Sequence, residues 1–537
     1  MKSTLIILAC LVFQRLAAEN FNIADSGAVP DGKTLCTAII QKAIDDCSAS
    51  GGGRVTIPTG KFLTGTLFLK DNVSLYLENG AVLLGSTRIE DYKPANVIKA
   101  DHAQNISIAG DGTIDGQGSA FWLPADRSRI PYSRTPQWTH QPSRTGNLIL
   151  LNGCRNVKIE NVTLKGSESW TLHLLGCDDV MVHGITIRNP LHGPNTDGID
   201  IQACSNVRIS DCDIYTRDDA IVLKNRHPAY YGKPCENIVV TNCIITTECN
   251  GFKIGTESLN DFRNIVFSNS VIKAANLDDE LAKVAAEYVH PGDVGGIAPI
   301  SGIAIESVDG SHLQGVTVTN IVMDGVLTPV FIRLANRGAG EQKVAVPVPG
   351  TLKDVIISNI VAYRAKLASS ITGIPGSCVE NVMLENILIS TEGGGDKELA
   401  GKELDEKIQA YPEARMWGPM PVSGFFVRHV KGLQMSDMKI EVDKNDMRPL
   451  IKFDDVADLY IRNLRTNDGH QGQGVLDFRN VTNANLSDIR FPETLSVPWF
   501  LFSGAETGKF IISVPGIKNL RSRIKQDPLV RKDAISY

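Results

Sequence analysis

The feature that most constrains this chain is a short apolar unit that keeps recurring. Segments such as NVKIENVTL, NVRISDCDI, NIVVTNCII, DVIISNIVA and NVMLENILI align on one reference residue, found at Val157, Val180, Val207, Ile238, Ile265, Val316, Val355, Val382, Leu433 and Leu459. Neighbouring references lie from 23 residues apart (Val157 to Val180) to 51 (Val382 to Leu433). Two residues after each reference the unit is apolar again, as at Ile159, Val182, Ile209 and Ile461. Apolar residues alternating with polar ones over short runs are strands, and their recurrence at this period marks a solenoid.

A chain of 537 residues would otherwise suggest three or four domains of roughly 150 residues each. The columns argue instead for one all-β domain over residues 19–537, a single right-handed parallel β-helix. Four residues after the reference stand Asn161, Gly184, Asp211, Asn242, Asn269, Asn320, Asn359, Asn386, Asp437 and Asn463. Strands stacked about 4.8 Å apart let such amides hydrogen-bond from rung to rung, so an asparagine ladder is expected at an interior bend. The sequon at Asn161 would then point inward. Three residues before the reference, Cys154, Cys177, Cys204 and Cys235 give way to Phe262, Leu313, Leu352, Val379, Val430 and Val456. Cysteine in that company reads as a buried stack rather than a disulfide framework.

Apolar residues at Cys36, Ile40, Ala43, Ile44 and Cys47 predict an amphipathic helix in a cap region of about 19–54, over the open end of the stack. Three insertions interrupt the repeat, at about 116–147, 276–299 and 393–421, and long loops on a rigid scaffold are candidate walls of a groove. Lys2, an apolar run over 5–13 and Leu16-Ala17-Ala18 read as an export signal over residues 1–18. Cys10 is an alternative lipoprotein-type site, so the expected location is periplasmic, cell-surface or extracellular. No later segment is long enough to span a bilayer. A net charge of −6 gives no electrostatic footprint for nucleic acid, and an acidic ligand would need local Lys and Arg.

The carboxylates carry the chemistry. His192-Gly193-Pro194-Asn195-Thr196-Asp197-Gly198 is followed by Thr216-Arg217-Asp218-Asp219-Ala220, and Asp197 precedes Asp218 by 21 residues, about one coil. Three carboxylates on neighbouring rungs raise at least one pKa, as an acid and base pair near neutral pH requires. A capping turn or a cation site would also account for the spacing alone.

With NTDG at 195–198, the Asp218–Asp219 pair and the stretch GGGRVTIPTGKFLTGTLFLKDNVSLYLENGAVLLGS at 51–86, nearly the whole chain after residue 18 resembles the polygalacturonase family, glycoside hydrolase family 28. The resemblance implies inverting hydrolysis of an α-linked glycosidic bond in a pectic, galacturonate-containing polysaccharide or oligosaccharide. It implies Asp218 as general acid and Asp197 with Asp219 as the pair that holds and deprotonates water, with no metal or organic cofactor. The family's Gly-His-Gly motif aligns with Cys249-Asn250-Gly251, putting Asn250 at the histidine position, and its Arg-Ile-Lys motif aligns with Ile305-Glu306-Ser307. The chain is therefore read as an atypical member.

Replacement cations for a substrate carboxylate are sought at Lys224, Lys253 and Arg333, since positions seventeen after successive references include Asp197, Lys224, Gly255 and Arg333. Salt bridges to a neighbouring Asp are the alternative for Lys224 and Arg333, and a solvated surface position for Lys253. His192 and Asn195 complete the expected binding residues. The first insertion adds Arg127, Arg129, Arg134 and Arg144 with Trp122, Tyr132 and Trp138. Three readings stay open: the pectic hydrolase, a rhamnogalacturonan or side-chain hydrolase of the same family, and a non-catalytic carbohydrate-binding β-helix. In each case a monomer acting on an acidic plant cell-wall glycan is expected.

Overall fold

The computed structural model describes residues 19–124, 138–276, 298–338, 348–514, 517 and 519–536. The expected export signal, Arg127, Arg129, Tyr132, Arg134 and nearly all of the second insertion lie outside the described residues.

Among the described residues, repetition of the apolar unit produces one sheet of 37 strands wound into a parallel β-helix. The coil at the first reference shows the pattern. Ile149–Asn152, Arg155–Glu160 and Thr163–Lys165 form three walls, and each pairs in parallel with its counterpart one turn later, Leu172–Leu175, Asp178–His183 and Thr186–Arg188. Register follows the repeat, with Val157 opposite Val180, Val180 opposite Val207 and Val207 opposite Ile238. Side chains alternate across a strand, so the reference residues and those two further on fill the interior.

The cysteine column is part of that interior. Cys154, Cys177, Cys204 and Cys235 are buried and free, with their Sγ atoms directed at carbonyls of the preceding coil. Phe262 takes the next place in the column, followed by Leu313 and Leu352. Toward the other end Phe453, Phe478 and Phe502 stack at 5.1 and 5.2 Å between ring centroids.

The ladder lies on the opposite side of the backbone from the one expected. Asn161 is exposed, and the amides bond along the outer corner: Asn320 donates to Asn269 at 2.9 Å, Asn386 to Asn359 at 2.7 Å and Asn463 to Asp437 at 2.6 Å. The reason is backbone geometry. Each of these residues sits at positive φ, 63° at Asn161 and 58° at Asn320, a conformation that turns the chain sharply and that Asn, Asp and Gly tolerate best. Gly184 belongs to the same column at φ 65°, and a Cβ there would meet Asn161 Oδ1 at 2.6 Å. A second ladder, unrecognised in the sequence, runs along the corner just before the reference: Asn237 donates to Asn206 at 3.1 Å and Asn264 to Asn237 at 3.0 Å.

The predicted helix forms over Thr37–Ala49 and buries Ile40, Ala43, Ile44 and Cys47. It packs on the first strands of the stack, Glu19–Asn22, Gly53–Ile57 and Leu67–Phe68. Gln41 donates to the Phe68 carbonyl at 3.0 Å and accepts from the Phe68 amide at 2.7 Å, satisfying an edge strand that would otherwise be open.

Replacing Asn320 by Ala should lower stability by about 1–2 kcal/mol, the cost of an ordinary residue in the left-handed region plus a lost rung bond, while Asn320→Gly should retain most of it. Urea unfolding of the two variants side by side checks this.

Candidate active site

On the outer face of the first wall, successive turns stack as the strands do. The turn carrying Asp197 leads into Ile199–Gln202, the turn carrying Asp218 and Asp219 into Ile221–Asn225, and the turn before Asn250 into Asn250–Ser258. Backbone bonds tie them: Gly198 N donates to Asp219 O at 2.9 Å, and Ala220 N to Asn250 O at 2.9 Å. Gly198 permits the approach, because a Cβ there would lie 2.3 Å from Ala220 O. The 21-residue separation thus does place Asp197 and the Asp218–Asp219 pair on neighbouring rungs.

Each carboxylate then meets different support. Asp197 Oδ2 accepts from Lys224 Nζ at 2.9 Å, while its Oδ1 has no hydrogen-bond partner. The same ammonium donates to Asp200 Oδ1 at 2.5 Å and lies 3.7 Å from the centre of the Trp170 ring. One buried cation cannot neutralise two buried carboxylates. Burial and mutual repulsion therefore outweigh Lys224, holding Asp197 well above the usual carboxylate range and pushing Asp200 up to about 7.

Asp219 is treated oppositely. Its Oδ1 accepts from Asn250 Nδ2 at 2.6 Å and its Oδ2 lies 3.3 Å from Lys253 Nζ. Burial works to raise its pKa, but Lys253, Lys224 and the Asn250 amide together keep it below the ordinary value. Asn250 is itself fixed by Ser301 Oγ, which donates to its Oδ1 at 2.6 Å. Asp218 has neither lysine: Thr216 and Thr247 hydroxyls hold its backbone carbonyl at 2.9 and 2.6 Å, and its side chain keeps 15% exposure.

Of the expected binding residues, Asn195 is exposed in the NTDG turn, 3.3 Å from His140 Nε2 of the first insertion. His192 packs edge-on against Trp122 at 5.6 Å, and burial, with Arg217 nearby, lowers its proton affinity. Glu168 anchors the first insertion, accepting from Arg144, lying 2.5 Å from His140 Nδ1 and receiving the Trp122 indole N–H on its backbone oxygen at 2.9 Å.

The cations need correction. Lys224 and Lys253 are buried and committed to carboxylates, so Lys253 is not a solvated surface lysine. Arg333 stands two strands beyond Lys253 and does not join the carboxylates. It donates to the carbonyls of Gly373, Glu406 and Lys407 at 3.1, 2.7 and 3.3 Å, and so seats the third insertion. Arg428 makes a parallel attachment to the Leu404 carbonyl at 3.0 Å, and Leu404, Trp417 and Met420 pack on Phe331 and Phe426. Counting seventeen residues from a reference could not foresee this, because its partners in the insertion are main-chain atoms. Tyr411 of that insertion reaches back to the site, its hydroxyl 3.3 Å from Thr256 Oγ1 and its ring centre 6.0 Å from Lys253 Nζ.

Two acids were not recognised as buried. Asp200 is the acidic residue in the strand IDIQ and shares a column with Lys253, through Val222. Glu306 opposes Arg333 in the register, and burial pushes it up to about 7 against the pull of Lys253. Asp218, Asp219 and Cys249 bring ligand-capable atoms within 4.8 Å of one another, a grouping a small cation could use, although Asn250 and Lys253 already occupy Asp219.

A parallel β-helix with a cation-supported carboxylate cluster on its outer wall defines a class of solenoid proteins equipped for acid–base chemistry. Residues 47–278, which contain Asp197, Asp218, Asp219, Lys224 and Lys253, match Glycosyl hydrolases family 28. The chain is 27% identical over 416 residues to a probable polygalacturonase of Vitis vinifera, covering 71% of this chain and 77% of the relative. The matched part of the chain is thus similar to glycoside hydrolase family 28. Among solved structures, the Yersinia enterocolitica family 28 exopolygalacturonase superposes with a TM-score of 0.60 at 20% identity, over 84% of this chain and 78% of that one. PfbA, a surface adhesin of Streptococcus pneumoniae, gives 0.54 at 16% identity, over 79% and 90%. At these identities the structures share the fold alone.

Glu306→Gln should change the pH dependence of stability in a defined direction. Wild-type Glu306 takes up its proton near 7 when folded and near 4.5 when unfolded, so its contribution is full below 4.5 and is lost as pH rises through 7. The melting temperature of the variant relative to wild type should therefore climb between pH 4.5 and 7 and level off above, as read by calorimetry across that range.

Proposed function

We propose that the protein is an exported, inverting glycoside hydrolase that cleaves α-glycosidic bonds in galacturonate-containing pectic polysaccharide or oligosaccharide. The observation that carries the reading is the unequal support of adjacent acids. Asp219 is held ionised by Lys253 and Asn250, whereas Asp218 lies outside both lysines and retains access to a ligand.

In the proposed reaction Asp218 gives its proton to the glycosidic oxygen as the bond from that oxygen to the anomeric carbon breaks. A water held by Asp197 Oδ1 and Asp219 attacks the opposite face of the sugar, forming the new carbon–oxygen bond. Asp219 takes the water's proton, so one carboxyl ends ionised and the other protonated, and the anomeric configuration is inverted. Asp197 serves as the water's positioner, because Lys224 secures its other oxygen. Export rests on the apolar N-terminal segment and the pectic substrate on the family's named members.

A second reading, a rhamnogalacturonan or side-chain hydrolase, is favoured by Glu306, an acid at the position aligned with the family's Arg-Ile-Lys motif. A panel of defined pectic oligosaccharides separates the two, with the product anomer followed by proton NMR. Inverted product is expected, and a retained anomer would overturn the mechanism. Asp218→Asn should lower turnover by about a thousandfold while leaving glycan binding within a few-fold. If wild type binds these glycans and cleaves none of them, the carbohydrate-binding reading replaces the hydrolase. Lys224→Met, which strands two buried carboxyl groups, should destabilise the protein by about 3–5 kcal/mol, measured by denaturant unfolding.

A further inference from the structure

We infer that Arg217 is the residue that receives a substrate carboxylate, that of a uronosyl unit lying against Asp218; the assignment rests on the hydrolase reading above. Arg217 follows strand Asp213–Thr216 and immediately precedes Asp218, and its side chain is 6% exposed. Its neighbours are acidic but stand off: Nε lies 3.6 Å from Glu248 Oε2 and Nη1 lies 3.7 Å from Asp218 Oδ2. Both separations exceed hydrogen-bond length, and Nη2 has no hydrogen-bond partner at all.

A guanidinium keeps its charge at any pH a protein tolerates, and burying it with a donor unpartnered is costly. The other buried cations of this wall hold closer partners, although Arg333 Nε, like Arg217 Nη2, has none. Lys224 is held by Asp197 and Asp200, Lys253 by Asp219, and Arg333 by backbone carbonyls. Arg337 is likewise held by both oxygens of Asp309, at 2.9 and 2.6 Å. Arg217 is thus a buried guanidinium beside the site, loosely ion-paired with Glu248 and Asp218 and with Nη2 lacking a hydrogen-bond partner.

Position and charge select the ligand. Nη1 is 3.7 Å from Asp218, so a sugar that bonds to Asp218 has the guanidinium within reach of its own substituents. Asp197, Asp200 and Asp219 already hold Lys224 and Lys253, so neither lysine is left for a second anion. A carboxylate brought in beside Asp218 therefore meets Arg217, and a guanidinium fork pairs with a carboxylate through two parallel N–H···O bonds. This cation fixes the sugar's orientation as well as its charge.

Titration of galacturonic acid, its methyl ester and galactose into wild type, Arg217→Gln and Arg217→Lys, followed by ligand-observed NMR, tests the assignment. Wild type should bind the free acid about tenfold or more tightly than the other two. Arg217→Gln should abolish that difference by weakening only the acid, and Arg217→Lys, which keeps the buried charge and guards against misfolding, should restore part of it. Equal loss for all three sugars, or no preference in wild type, overturns the inference. Turnover of oligogalacturonide by wild type is scored separately, so loss of the hydrolase reading and loss of Arg217's role give different results.

Discussion

Everything in this molecule depends on the parallel hydrogen-bonded register from coil to coil. Once Val157 faces Val180 and Val180 faces Val207, each neighbouring column repeats at the spacing of adjacent strands. Cysteines and aliphatic residues stack inside, amides stack at the corners, and turns stack on turns. Asp197, Asp218 and Asp219 meet because their turns are consecutive rungs of one wall, joined by the bond from Gly198 N to Asp219 O at 2.9 Å.

The same register creates an electrostatic problem, since like charges are brought to within a rung of each other in a buried place. Two lysines and an amide resolve it unevenly. Lys253 and Asn250 stabilise one negative charge at Asp219; Lys224 is divided between Asp197 and Asp200, which together retain a proton more readily than ordinary carboxyls. Equivalent residues in neighbouring turns thereby acquire different proton affinities, which is what separate acid and base roles require.

How much of this could be read from the chain follows from what is local. The apolar columns, the capping stripe from Ile40 to Cys47 and the carboxylate motifs are short-range patterns, and they emerge in the fold as strands, helix Thr37–Ala49 and adjacent turns. The ladder was legible as a column, but its direction was not, because only the positive φ at residues such as Asn161 decides which way the amides face. Asp200 escaped notice, and Glu306 was seen only as a motif substitution, because an isolated acid in a strand looks like a solvated face until burial is known. The fate of Arg333 was illegible for another reason: it binds carbonyls about seventy residues away, and a carbonyl leaves no trace in residue identity.

That last arrangement bears on how such a wall could diversify. Arg333 and Arg428 hold the third insertion chiefly through main-chain oxygens of Leu404, Glu406 and Lys407. Main-chain oxygens are supplied by any amino acid. Those contacts persist whichever residue supplies the oxygen, whereas the rest of the seat uses particular side chains: Glu406, held by Arg428 and His429, and Leu404, Trp417 and Met420, packed on the wall. The mount is thus part main chain and part fixed side chain, and only loop residues outside that set can vary while the stack beneath stays as it is.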